Sequence, residues 1–143
     1  MVHILKLEAM AYFKTKYGDY LYVVFRVGIG ALFFMYGIMK LFGLWGMPGG
    51  AAKFNTLIWY AGAAEFLVGL ALVSGVLTRL ASFFGVIEMI VAYIIGHALP
   101  NGWNPMTNQG APAVIFMLAF LVTLAYGDRK LSLEQAILGK ELF

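Results

Sequence analysis

Four apolar stretches, separated by short polar or glycine-rich segments, constrain the fold of this chain more than any other feature. They cover residues of about 20–43, 57–77, 80–99 and 111–126. A helix needs about 20 apolar residues to cross the hydrocarbon core of a bilayer, so three stretches are long enough and the fourth is barely so. The pattern predicts an all-α integral membrane protein, a four-transmembrane-helix bundle with up-down-up-down topology.

The composition supports a membrane domain. Hydrophobic residues make up 62% of the 143 residues and charged residues only 12%, whereas a soluble domain carries about 25% charged residues. This length allows a single domain. Cysteine is absent and only two histidines occur, which excludes disulfides, iron–sulfur ligation and thiol relays within the chain. We expect no metal, no intrinsic cofactor and no nucleic-acid partner.

The two ends of the chain are predicted to form interfacial helices. Residues 1–19 mix charged and apolar side chains and are too charged to span a membrane, as is typical of a helix that lies in the interface. In the segment 132–143, Ser132 and Gln135 form a capping box that predicts a short helix from Leu133 to about Leu142. Both helices would anchor the bundle.

The basic residues predict the orientation in the cell membrane. Because lysine and arginine concentrate on the cytoplasmic side of membrane proteins, we expect both termini in the cytoplasm. The loops 44–56 and 100–110 would then face outward. The predicted inner side carries Lys6, Lys14, Lys16, Arg79, Arg129, Lys130 and Lys140, and the predicted outer side carries Lys40 and Lys53.

Four titratable residues lie inside the predicted spans, where charge is expensive. A charge at the bilayer centre costs about 2.5–3.5 kcal/mol even on the most lenient scale, so each one needs a reason. These residues lie on three of the predicted helices. In each helix, small residues lie three or four positions from the charged residue on the same face, and such small residues mark the side of a membrane helix where another helix packs. These faces should point into the bundle. The residues are Arg26, Lys40, Glu65 and Glu88, with His97 near an outer end.

Depth along the helices suggests which charges meet. Arg26 and Glu88 lie about 9 and 12 Å from the inner ends of their spans, which predicts an Arg26–Glu88 pair. Glu65 lies within reach of Lys40 or His97, whereas His97 lies about 180° around a regular α-helix from Glu88. Two interpretations stay open. The charges are structural ion pairs that fix helix register, or they form a polar pocket that holds a head group or exchanges a proton.

Four groups of residues, in order along the chain, resemble one known family. They are Arg26-x-Gly28 with Lys40-Leu41-Phe42-Gly43, then Gly62-x-x-Glu65-x-x-x-Gly69, then Gly75-x-x-Thr78-Arg79-Leu80-Ala81, and Gly127-x-x-x-Leu131-Ser132-Leu133-Glu134. Together they resemble the DoxX family, including DoxD-type membrane proteins. The resemblance implies a four-helix bundle linked with quinone-dependent redox complexes, with Glu65 at the family's glutamate. Glu134 replaces the usual aspartate, and Glu88 is outside the pattern.

Three functions follow as hypotheses. The first is a membrane subunit of a redox complex that binds a quinone or another lipophilic ligand, with Glu65 as proton relay. Trp59 and Tyr60 would wall the ring pocket or, alternatively, belong to the interfacial aromatic belt. No residue carries electrons, so a redox protein partner is required. The second is a non-catalytic scaffold, assembly factor or lipid-binding protein. The third is a small transporter, which with four spans would need to form a homo-oligomer.

Overall fold

The computed structural model describes residues 2–128 and 131–139, with side chains described for 17–128, 131–137 and 139, and helices joined by loops make up this part of the chain. No strand occurs within these residues. Two short helical elements continue the third long helix, so 78–101 forms one rod. The elements are α1 (Val2–Phe42), α2 (Leu57–Ser74), α3 (Thr78–Val91), a π-helical segment (Ala92–Ala98), α4 (Leu99–Asn101), α5 (Ala111–Tyr126) and α6 (Leu133–Leu138).

Three of the helical stretches are long and apolar enough to cross a membrane: Tyr17–Phe42, Leu57–Ser74 and Thr78–Asn101. The apolar helix α5 is shorter, at 16 residues. Large apolar side chains cover the outside of the bundle, where lipid would surround them. Among the most exposed are Leu21, Val24, Leu67, Ile115 and Leu118. These features describe a membrane helical bundle.

The N-terminal prediction was wrong in one respect. The sequence suggested a separate interfacial helix over residues 1–19, but α1 continues without a break from Val2 to Phe42. Nothing in that stretch stops a helix, because it contains no proline and only Gly18 weakens it, at a cost of about 1 kcal/mol relative to alanine. The C-terminal helix begins at Leu133 as predicted and ends at Leu138, earlier than expected, with Gly139 as its left-handed cap at φ 67°. Residues 140–143 of that prediction lie outside the described residues.

Glycines bring α1 and α2 into backbone contact. A Cβ atom on Gly37 would collide with the backbone of Phe66, and one on Gly69 would collide with the backbone of Phe34. The glycine-rich faces predicted from the sequence therefore pack against each other. In a membrane, where apolar burial drives no association, such close backbone approach supplies the packing contacts that hold helices together.

Aromatic rings close the bundle between α1 and α5. Phe33 is fully buried and lies 5.1 Å from Phe116 and 4.7 Å from Phe120, measured between ring centroids. Phe120 also fills the space left by Gly85 of α3. This aromatic cluster separates two groups of charged residues, one at each end of the bundle, because Arg26 precedes Phe33 on α1 and Lys40 follows it.

Candidate functional site

Arg26 is fully buried at one end of the bundle and holds the chain that follows α5. Its Nη1 donates to the backbone carbonyl of Asp128 at 2.5 Å, and its Nη2 donates to that of Leu131 at 2.9 Å. The predicted Arg26–Glu88 pair is therefore wrong. Depth along two helices could not reveal that residues following α5 return to Arg26 and supply backbone carbonyl oxygens as its partners.

Ser132 joins this return segment to the turn between α2 and α3. Its hydroxyl lies 2.8 Å from the carbonyl oxygen of Gly75, also contacts the carboxylate of Asp128, and accepts a hydrogen bond from the backbone of Gln135. The hydrogen bond from Gln135 to Ser132 is the predicted N-cap of α6. We call Arg26, Gly75, Asp128, Leu131 and Ser132 the inner clasp.

Glu134 extends the clasp to the start of α3. Its Oε2 accepts a hydrogen bond of 2.6 Å from the backbone nitrogen of Leu77, a residue in the left-handed conformation at φ 50°. A buried backbone N–H at a helix start needs such an acceptor. The sequence motif from Gly127 to Glu134 thus has a structural explanation, because it closes the bundle at this end.

The other end of the bundle holds an ion pair between α1 and α2. Lys40 Nζ lies 2.5 Å from Glu65 Oε1, and the side chains are 22% and 4% exposed, respectively. Gly62, one turn before Glu65, leaves room for the Lys40 side chain. The second carboxylate oxygen, Oε2 of Glu65, is buried and has no hydrogen-bond partner. Lys40 is one of the two partners that the sequence suggested for Glu65.

His97 lies at the same end, in the π-helical segment. Its Nδ1 is 3.1 Å from the carbonyl oxygen of Asn108. Since a carbonyl can only accept, Nδ1 carries the hydrogen in this contact and Nε2 of the neutral ring remains an acceptor. The buried Asn108 is itself fixed by hydrogen bonds to Gly102 and Gly110. His97 is therefore held in place from the loop that precedes α5.

These groups line a cavity of about 290 Å³ between α1, α2, the π-helical segment and α5, which we call the polar cavity. Four polar side chains besides Tyr36 line it, namely Lys40, Glu65, His97 and Gln109. Aromatic and aliphatic side chains form most of the remaining wall, in the mixture usual for sites that bind small apolar molecules with a few polar atoms. They include Phe33, Tyr36, Met39, Met89 and Phe116.

A second cavity of about 380 Å³ lies between α2 and α3, and we call it the lateral cavity. Lys40 and His97 line it as well, so they form a wall common to both cavities. Glu88 belongs to the lateral cavity, and neither of its buried carboxylate oxygens has a hydrogen-bond partner. The expectation that His97 faces away from Glu88 was wrong, because each residue of a π-helix turns the chain through a smaller angle than an α-helical residue does.

The two aromatic residues suggested for a ring pocket occupy different places. Tyr60 lines the lateral cavity, and its hydroxyl donates to Asn55 at 2.6 Å. Trp59 packs against Phe54 and Tyr60 and lines neither cavity. Among the residues whose positions are described, no three acidic or histidine side chains lie together as metal ligands.

Comparison with known proteins agrees with the helical architecture. The sequence matches the DoxX family over residues 21–98, more than half of its length and most of the two-cavity region. A protein of Haemophilus influenzae, described as uncharacterized, is 27% identical over 129 residues that cover 87% of this chain and 96% of that protein. No solved structure matches. The family match and the long apolar helices together show that this chain is a membrane protein of the DoxX family.

Proposed function

We propose that the polar cavity holds the head ring of a quinone, or of a lipophilic molecule of similar size, and that the protein is a membrane subunit of a redox complex. The observation that carries this proposal is the unpartnered Oε2 of Glu65, which is 97% buried by residue area (3% exposed) in a cavity with mostly apolar walls. A buried polar atom without a partner is costly, and a ligand that supplies one removes that cost. A quinone carbonyl oxygen can accept a hydrogen bond from Lys40, and the hydroxyl groups of the quinol form can donate to Glu65 and to Nε2 of His97.

In the proposed reaction, this chain delivers protons to the quinone and a partner protein delivers the electrons. Reduction of a quinone to a quinol takes two electrons and two protons, each proton forming an O–H bond at one carbonyl oxygen. Glu65 would transfer one proton to the nearer oxygen and be reprotonated from the outer end of the bundle, and the second oxygen would take its proton from water at that end. The electrons would come from a partner protein that carries a flavin, a haem or a reactive thiol, because this sequence contains no cysteine.

The membrane arrangement proposed with this function has four spans. Helix α5, with 16 residues, would be the fourth and would cross with little tilt. Both termini would then lie on the cytoplasmic side, and the polar cavity would lie in the outer half of the bilayer. The distribution of lysine and arginine in the sequence supports this orientation.

Quinone retention by a Glu65→Gln variant tests the proposal. The amide keeps the size of the side chain and its hydrogen-bonding capacity but loses the exchangeable proton. We expect wild-type protein, extracted gently from its own membrane, to carry quinone in native mass spectrometry, and the variant to lose most of it. Asp19→Asn makes the same acid-to-amide change outside the cavity and should retain the quinone.

The alternative function, a non-catalytic scaffold or assembly factor, makes the opposite prediction. A wild-type protein that carries a stable protein partner and no quinone would favour the scaffold. So would a folded Glu65→Gln variant whose ligand content and complex activity equal those of the wild type. A small transporter remains the third hypothesis, and it predicts transport that depends on oligomer formation.

A further inference from the structure

The charges around the lateral cavity do not balance. Lys40 is paired with Glu65, and these two residues neutralise each other. Glu88 is the acid on the wall of the lateral cavity, and neither of its carboxylate oxygens has a hydrogen-bond partner. His97, the remaining titratable side chain on this wall besides Tyr60, is engaged with Asn108 through its Nδ1. If Glu88 is ionised, the cavity therefore lacks a positive charge that would balance it.

The lateral cavity opens through side chains that face the lipid. Leu57 and Ile58 of α2 are 65% and 50% exposed, and Val91 and Ile95 on the opposite side are also exposed. Most of the wall is aliphatic, with Ala61 and Ala64 leaving the space empty. A ligand would enter this cavity from the hydrocarbon, so it must itself be largely apolar.

We propose that the lateral cavity binds a lipophilic cation, such as an amine or quaternary centre with an apolar body, and that Glu88 is its counter-ion. An ionised carboxylate in an apolar cavity is costly on its own, and a bound cation offsets that cost because water does not screen their attraction there. The ring of Tyr60 on the same wall adds the kind of aromatic surface on which cations bind. This cavity is separate from the polar cavity proposed for a neutral quinone, and the two share the wall formed by Lys40 and His97.

Binding of tetraphenylphosphonium tests the assignment. This probe is a lipophilic cation without hydrogen-bonding groups, so it reports charge complementarity alone. Equilibrium dialysis against the full chain in nanodiscs, with empty nanodiscs as background, should show saturable binding. Glu88→Gln should weaken that binding about tenfold or more, equivalent to about 1.4 kcal/mol. Ala61→Leu keeps Glu88 and fills the cavity, and it should weaken binding as well.

Triphenylphosphine oxide separates this proposal from its main competitor. It has a similar shape, carries no net charge and presents one strong hydrogen-bond acceptor. If Glu88 acts as a neutral acid that donates a hydrogen bond, the oxide will bind and the phosphonium will not, which would overturn the proposal. Equal phosphonium binding by wild type and by folded Glu88→Gln or Ala61→Leu, checked by size-exclusion chromatography, would overturn it too.

Discussion

The two ends of the bundle bury charge in opposite ways. In the inner clasp, two nitrogens of Arg26 are bonded to backbone carbonyls of the return segment, and Nε is the one nitrogen of that side chain without a partner. At the other end, Glu65 Oε2 and both oxygens of Glu88 lack partners, and two cavities of about 290 and 380 Å³ adjoin them. The chain itself supplies partners for the charge at one end, whereas carboxylate oxygens at the other end face open cavities.

The difference separates structural charges from candidate functional ones. A charge whose partners are backbone carbonyls of the same chain orders a segment that would otherwise have no reason to stay in place. A buried carboxylate oxygen without a partner, next to empty space, adds nothing to the fold and costs free energy in a membrane. Proteins keep such local conflicts mainly at functional sites. Arg26 therefore stabilises the fold, and Glu65 and Glu88 are the residues that we propose for ligands.

The largest effect expected from this comparison is on stability at the inner clasp. Arg26→Met should destabilise the protein by about 3–5 kcal/mol, because it leaves the buried carbonyls of Asp128 and Leu131 without donors and Asp128 without its neighbouring positive charge. Thermal unfolding in detergent, followed by circular dichroism, would measure the loss. An Arg26→Met protein as stable as wild type would remove the distinction between the two ends.

A smaller effect is expected for the Lys40–Glu65 pair. Removing either side chain should cost about 1–2 kcal/mol, because Lys40 is partly exposed and can be replaced in part by water. Lys40→Met should be the worse single change, since it strands the buried carboxylate of Glu65. The double variant Lys40→Met with Glu65→Gln should cost less than the sum of the two, measured by the same melts as a double-mutant cycle. Additive costs would mean that the two side chains are not coupled.

Parts of this architecture were accessible from the sequence and parts were not. Glycine spacing around Glu65 predicted which helix faces meet, because close packing in a membrane demands small residues, and Ser132 with Gln135 predicted the start of α6. The partner of Arg26 was missed, since its hydrogen bonds go to backbone carbonyls that carry no side-chain signal. The common wall of the two cavities was missed as well, because a π-helical segment has no reliable sequence signature and shifts His97 relative to Glu88.

The last prediction tests which side of the membrane each end faces and should leave stability unchanged. The sequence has no cysteine, so single cysteines can be introduced at Ala51, Asn104 and Ala136 without background. All three positions are exposed. With the inner clasp in the cytoplasm, an impermeant thiol reagent should label cysteines at positions 51 and 104 in intact cells. It should label position 136 only after the membrane is broken. The reverse pattern would place the two cavities in the cytoplasmic half of the bilayer, and Glu65 would then take its protons from the cytoplasm. Labelling of positions 104 and 136 from the same side would show that α5 does not cross, because these two positions flank that helix.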